Sequence, residues 1–226
     1  SMATIAGTVI ILYASVLEQT LPGSLSHLLT ASIISVPAAL TLAHVFQPTQ
    51  PSDLDVMQIP RSDKTWIEVL LDAVDDAVRM IISIAAIIVV LFAFIYLLDD
   101  MLALIHADLN LGLIFSQLLR PVMWLVGFDW TNAALAGELM GTKVVLNEFV
   151  AYLALADVTE FSDKQIIVIA YSMCGFANIA SCGIIIAGLV VIMPERRKEV
   201  VDVTFTALLL GNVATLMTGC VVSLIR

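Results

Sequence analysis

The sequence predicts an all-α polytopic membrane protein. About five transmembrane helices, one re-entrant helical hairpin and interfacial amphipathic helices make up the expected fold. Three observations carry this. Of 226 residues, 60% are hydrophobic and only 13% charged, against about 45–50% and about 25% in soluble domains. Charge-free runs recur along the chain, and proline-rich or charged segments separate them. The composition excludes an ordinary soluble enzyme. The net charge of −10 excludes a nucleic-acid partner, which needs clustered Lys and Arg.

Residues 1–45 supply two transmembrane helices. The first apolar run covers 1–17, ends at Glu18 and turns at Pro22-Gly23. It has no cationic leader and no cleavage site, so it does not read as a signal peptide. The second run, Leu25 to Val45, is long enough for a hydrocarbon core of about 30 Å at 1.5 Å per residue. Residues 46–64 form a loop, expected in the cytoplasm, with Pro48, Pro51, Pro60, Arg61 and Lys64.

Residues 65–98 read as an amphipathic lead-in followed by a span. Ile67, Leu70, Leu71, Val74 and Val78 recur at helical spacing, with Glu68, Asp72, Asp75, Asp76 and Arg79 between them. The acidic residues of that group read as a solvated face. Met80 to Leu98 is the span, stopped by Asp99-Asp100. Residues 99–136 are mixed and read as interfacial helices, with Trp124 and Trp130 at headgroup depth.

Residues 137–226 hold the chemistry. Gly137 to Ala156 reads as one helix carrying Glu138, Lys143, Asn147 and Glu148. Residues 165–194 form a charge-free stretch of 30 residues with Gly175, Asn178, Ser181 and Gly183 near its middle. One span needs about 20 residues and two need about 40, so this stretch reads as the re-entrant hairpin. Val203 to Ile225 is the last span. The positive-inside rule places Glu195-Arg196-Arg197-Lys198-Glu199 in the cytoplasm with Lys164 at the other hairpin end, and the C-terminus outside.

Glu148 is the most informative residue. A carboxylate about halfway along an intramembrane helix is costly unless paired or wetted, and such residues are functional by default. The functional reading is a substrate- or ion-facing group with Asn147 and Tyr152 nearby; the competing one is a structural pair with Lys143 or snorkelling to an interface. Asn178 and Ser181, three apart, share a helix face, and Phe176 can stack on a flat ring. A ligand site and a polar contact between closely packed helices fit this cluster equally well. His27, His44 and His106 lack ligand spacing, and Cys174, Cys182 and Cys220 lie in apolar runs. No cofactor is expected. No Walker loop, dinucleotide fingerprint or nucleophile–base pair stands out, so an enzyme is not expected.

Gly137-Glu138-Leu139-Met140-Gly141-Thr142-Lys143, running into Asn147-Glu148-Phe149-Val150-Ala151-Tyr152, resembles the signature of concentrative nucleoside transporters. Cys174-Gly175-Phe176-Ala177-Asn178 and Pro194-Glu195-Arg196-Arg197 resemble it too. The opening Ser1-Met2-Ala3-Thr4-Ile5-Ala6-Gly7 resembles the start of a mid-protein helix of that family. The resemblance implies nucleoside import by symport with sodium or protons, elevator-type alternating access, a homotrimer in the plasma membrane (the inner membrane of a bacterium), and no enzymatic activity. It implies that Glu148, Asn178 and Ser181 hold the ribose, that Phe176 and Val9 contact the base, and that Thr4 and Ile5 help ligate sodium. The family's Gln-Thr-Glu hairpin motif does not occur; the only Gln-Thr is Gln19-Thr20, followed by Leu21. The chain therefore reads as the C-terminal half of such a transporter, with an N-terminal half as its missing partner, and is not expected to perform coupled uptake alone. The alternative is a non-transporting membrane subunit or assembly partner of the same fold.

Overall fold

A computed structural model describes residues 2–47 and 65–226, apart from the side chains at 80, 83, 84, 87, 88 and 91. Residues 48–64 of the expected loop, with Arg61 and Lys64, lie outside the described residues, as does the side chain of Met80. The described elements are all helical: α1 (Gly7–Leu17), α2 (Ser24–Phe46), α3 (Trp66–Ala103), α4 (Leu111–Val126), α5 (Trp130–Val145), α6 (Glu148–Ala156), α7 (Asp163–Met173), α8 (Ile179–Ile192) and α9 (Arg197–Ile225).

α2 and the helical run Pro194–Ile225 are long and apolar enough to cross a membrane. α9, at 29 residues and 1.5 Å rise, is about 43 Å long and serves as a ruler for the bundle. α2 lies antiparallel to it, with Ser35 Oγ 3.2 Å from Thr218 Oγ1 near one end and Ala43 and Val203 flanking a common cleft near the other. α3 is one continuous 38-residue helix opened by a Thr65–Glu68 capping box. The expected stop at Asp99 is therefore corrected, since the helix runs on to Ala103. Acidic side chains that reach water leave the backbone ladder intact, so Asp99 and Asp100 do not end the helix.

α4 and α5 pack antiparallel at close range. A Cβ on Gly137 would meet the Ser116 carbonyl oxygen at 2.6 Å, so only glycine permits this approach. The expected boundary at 136/137 falls inside α5 and is corrected: Asp129 caps that helix by accepting from Asn132 N at 3.0 Å.

Gly137 to Ala156 is not one helix. α5 ends at Val145, and the chain turns at Leu146-Asn147 into α6, which Asn147 caps by accepting from Val150 N at 2.9 Å. The two arms start and finish at the same level. Gln165, in the first turn of α7, which follows α6 after a short link, accepts from Asn132 Nδ2 at 3.2 Å and donates to Asp129 Oδ1 at 3.0 Å. The tip lies level with the middle of α9, where Lys143 meets Asn212.

The hairpin expected over 165–194 is corrected as well. The stretch breaks at its polar middle, but its halves, α7 and α8, do not pack along each other. The start of α7 sits by Ser223 at the end of α9, and the end of α8 sits by Val200 near its beginning. The segment therefore crosses the bundle instead of returning, and Lys164 lies at the opposite end from the 195–199 block. Capping explains the break: Asn178 Oδ1 accepts from Ser181 N at 2.7 Å and Ser181 Oγ from Asn178 N at 3.0 Å, which starts a new helix at that point.

Candidate functional site

Two stretches of irregular backbone cross in the middle of the bundle. Residues 2–6 precede α1, and residues 174–178 join α7 to α8. Phe176 N donates to the Thr4 carbonyl at 3.3 Å. A Cβ on Gly175 would meet Thr215 Cγ2 at 2.5 Å and the Met2 carbonyl oxygen at 3.2 Å, so glycine is what lets the two strands touch. Non-helical backbone at such depth is tolerated only where protein or a cavity satisfies it. Both conditions hold here.

Glu148 sits beside this crossing, 2% exposed, at the first position of α6 rather than midway along a helix. The helix N-terminus favours a carboxylate. Tyr13 OH donates to Oε1 at 2.9 Å and Asn178 Nδ2 donates to Oε2 at 2.9 Å. The structural pairing with Lys143 is not present: Lys143 Nζ donates instead to Asn212 Oδ1 at 2.6 Å. Among the described residues no buried side-chain polar atom lacks a partner.

A cavity of about 280 Å³ is lined by Thr4, Ile5, Ala6, Val9, Tyr13, Glu148 and Phe176. This volume is near the lower end for small-molecule clefts. Five of the seven singled-out residues, Thr4, Ile5, Val9, Glu148 and Phe176, therefore share one cavity. Asn178 and Ser181 stand just behind it, both buried. Asn178 reaches it through Glu148, while Ser181 is spent on the cap of α8. Tyr152 lies further back, with its hydroxyl donating to the Ala170 carbonyl at 3.0 Å.

Sequence reasoning missed Tyr13. It lies one helical turn beyond Val9 on α1, so an i, i+4 reading from Val9 could have found it. Its ring also stacks on Phe149 with centroids 5.9 Å apart. Among the described residues no group of three or more His, Cys, Asp or Glu side chains could hold a metal. His27 Nδ1 lies 3.2 Å from Tyr171 OH, and His106 is exposed beside Asp108.

An apolar helical bundle with a buried, hydrogen-bonded carboxylate facing a cavity where two backbone breaks cross defines the class: a helical membrane protein with a candidate ligand site. Residues 27–223 match the family described as Na+ dependent nucleoside transporter C-terminus. The chain belongs to this sodium-dependent nucleoside transporter family, which is a family of transporters and not of enzymes. It is 32% identical to human solute carrier family 28 member 3, over 99% of this chain and 35% of that protein. It is 31% identical to the nucleoside permease NupC of Helicobacter pylori, over 99% and 55%. The chain thus spans a third to about half the length of these relatives. Among solved structures, it superposes on a CNTnw variant in an outward-facing state with a TM-score of 0.87 at 27% identity, covering 99% of this chain and 55% of that one. For CNTnw in an inward-facing substrate-bound state the TM-score is 0.76 at 29% identity, with the same coverage.

Proposed function

We propose that this chain forms the substrate-holding part of a secondary active transporter that imports nucleosides by symport with sodium or protons, through elevator-type alternating access. The observation that carries the reading is the Glu148 carboxylate, buried at a helix start and shared between Tyr13 and Asn178, facing a cavity whose lining includes Val9 and Phe176. Vicinal ribose hydroxyls donate and accept, a carboxylate accepts from them, and an amide does both. Val9 and Phe176 offer an apolar wall and an aromatic face to a base. A neutral nucleoside needs no cationic clamp.

In this reading Glu148 and Asn178 hold the ribose, and Ser181 fixes Asn178 through the cap. Thr4 and Ile5 contribute oxygens to a hard coupling cation. The arms α5 and α6 form the re-entrant hairpin, because their tip stops level with the middle of α9 and their bases meet at its end. About five crossings remain: the segment entering α1, then α2, α3, the broken pair α7–α8, and α9. The block Glu195–Glu199 lies in the cytoplasm and the C-terminus outside. The homotrimer and an N-terminal half bearing a second hairpin complete the transporter.

The test is uptake of labelled uridine by cells expressing the full-length transporter, with Glu148→Gln as the comparison. Gradient-dependent uptake that is lost in the variant is expected. Purified protein that shows no thermal shift with saturating nucleosides, even alongside an N-terminal half, would sink the proposal.

A further inference from the structure

Lys143 is a fully buried cation on the arm leading into the hairpin tip, and Glu148 is a buried anion on the arm leaving it. Among the described residues no carboxylate is within ion-pairing distance of Lys143. Burying an ammonium at this depth is expensive, and its partner is a single side chain of α9. Lys143 Nζ donates to Asn212 Oδ1 at 2.6 Å. Asn212 Nδ2 in turn donates to the Ala177 carbonyl at 3.1 Å and to its own helix at Leu208 O, at 2.9 Å. The next residue, Asn178, donates to Glu148 Oε2 at 2.9 Å.

These bonds close a ring. It runs from one hairpin arm through α9 to the α7–α8 break, and from the break back to the other arm. We propose that Lys143 and Asn212 are positioning residues that clamp the tip from both sides and so set the spacing of Glu148 and Asn178 for a ribose. The Asn212 amide is the hinge of the clamp. Its oxygen takes the ammonium and its nitrogen holds the break, and no apolar or singly functional side chain does both. Neither residue lines the cavity, so neither touches substrate. The inference rests on the nucleoside reading given above.

The experiment compares affinities for uridine and 2′,3′-dideoxyuridine in the full-length transporter reconstituted in lipid. Lys143→Met, Asn212→Leu and the double variant are measured beside the wild type. The singles each leave one polar partner stranded, whereas the double variant replaces the pair with apolar groups of similar volume and strands no charge. It therefore serves where a single variant does not fold. The expected result is a loss of about tenfold in uridine affinity with little change for the dideoxy analogue, so that discrimination falls toward one. The double variant is expected to be no worse than either single, because both residues act through the same ring. A merely stabilising role would weaken both ligands alike. Folded variants whose discrimination stays within about twofold of the wild type would overturn the clamp. A wild-type protein that binds both ligands equally would instead overturn the ribose reading on which the clamp rests.

Discussion

Asn178 Nδ2 and Glu148 Oε2 are 2.9 Å apart and join the starts of two helices. Glu148 opens α6 and Asn178 caps α8. Each residue stands where the backbone has just broken, so free N–H groups and positive helix ends surround the pair. That setting favours a carboxylate in the middle of the bundle.

Removing the charge tests this first. Glu148→Gln keeps the shape and one acceptor, but loses the charge-assisted bonds, each worth about 1.5–3 kcal/mol. Nucleoside affinity is expected to fall about tenfold or more. Tyr13→Phe deletes one donor and is expected to cost less. Titration calorimetry on the full-length protein checks the order, and a larger effect at Tyr13 would contradict it.

The crossing of the two breaks depends on Gly175. Adding one carbon there meets Thr215 and the Met2 carbonyl. Gly175→Ala is therefore expected to destabilise by about 1–3 kcal/mol, the usual range for overpacking, and to weaken binding through the displaced Phe176. Thermal unfolding checks the first effect. Thr215→Ser, which removes the clashing methyl, is expected to restore part of the loss.

The start of α5 carries a pH dependence. The Asp129 carboxyl is held below the usual aspartate range, foremost by the backbone N–H of Asn132, with the Gln165 amide adding to it. A lowered folded value means that the carboxylate contributes stability above the unfolded value. That contribution is lost as pH falls through the ordinary aspartate range to the lowered value. Asp129→Asn keeps a capping side chain without the titration. The stability difference between wild type and variant is thus expected to shrink on acidification, measured by unfolding in detergent from neutral to acid pH. A difference that grows would reverse the sign.

Topology separates a crossing α7–α8 pair from a returning one. In a background without native cysteines, Lys164→Cys and Arg226→Cys are expected to react with an impermeant maleimide from the same, outer face. Arg197→Cys is expected to react only from the inner face. Labelling of residues 164 and 197 from one side would restore the returning hairpin.

Much of this arrangement was legible in advance. Charge-free length located α2 and α9 closely, because an apolar helix long enough to span has few other options. The polar interruption at Gly175–Ser181 correctly marked a break, and Glu148 stood out because a lone carboxylate in an apolar run needs a reason. The expectation of a returning pair at 165–194 failed for a physical reason too. Thirty apolar residues suit a return or a broken crossing equally well by length. Which one occurs depends on whether the two halves pack on each other or on α9. Leu146-Asn147 gave little sign of a turn, since Asn147 acts there as a cap and there is no Gly or Pro to mark it.

The residue types at the site, the apolar length of its frame and the family signature are properties of the sequence alone. They determined a helical membrane protein of the nucleoside-transporter family and most of the side chains that line its candidate cavity. Tertiary structure alone decided which groups meet. Lys143 turned from Glu148 to Asn212, Tyr13 came from the distant α1 to take its place, and two irregular backbones crossed over Gly175. Buried polar groups must each find a partner, but several candidates satisfy that rule locally. Only the packing of α1, α6, α8 and α9 around one point selects among them.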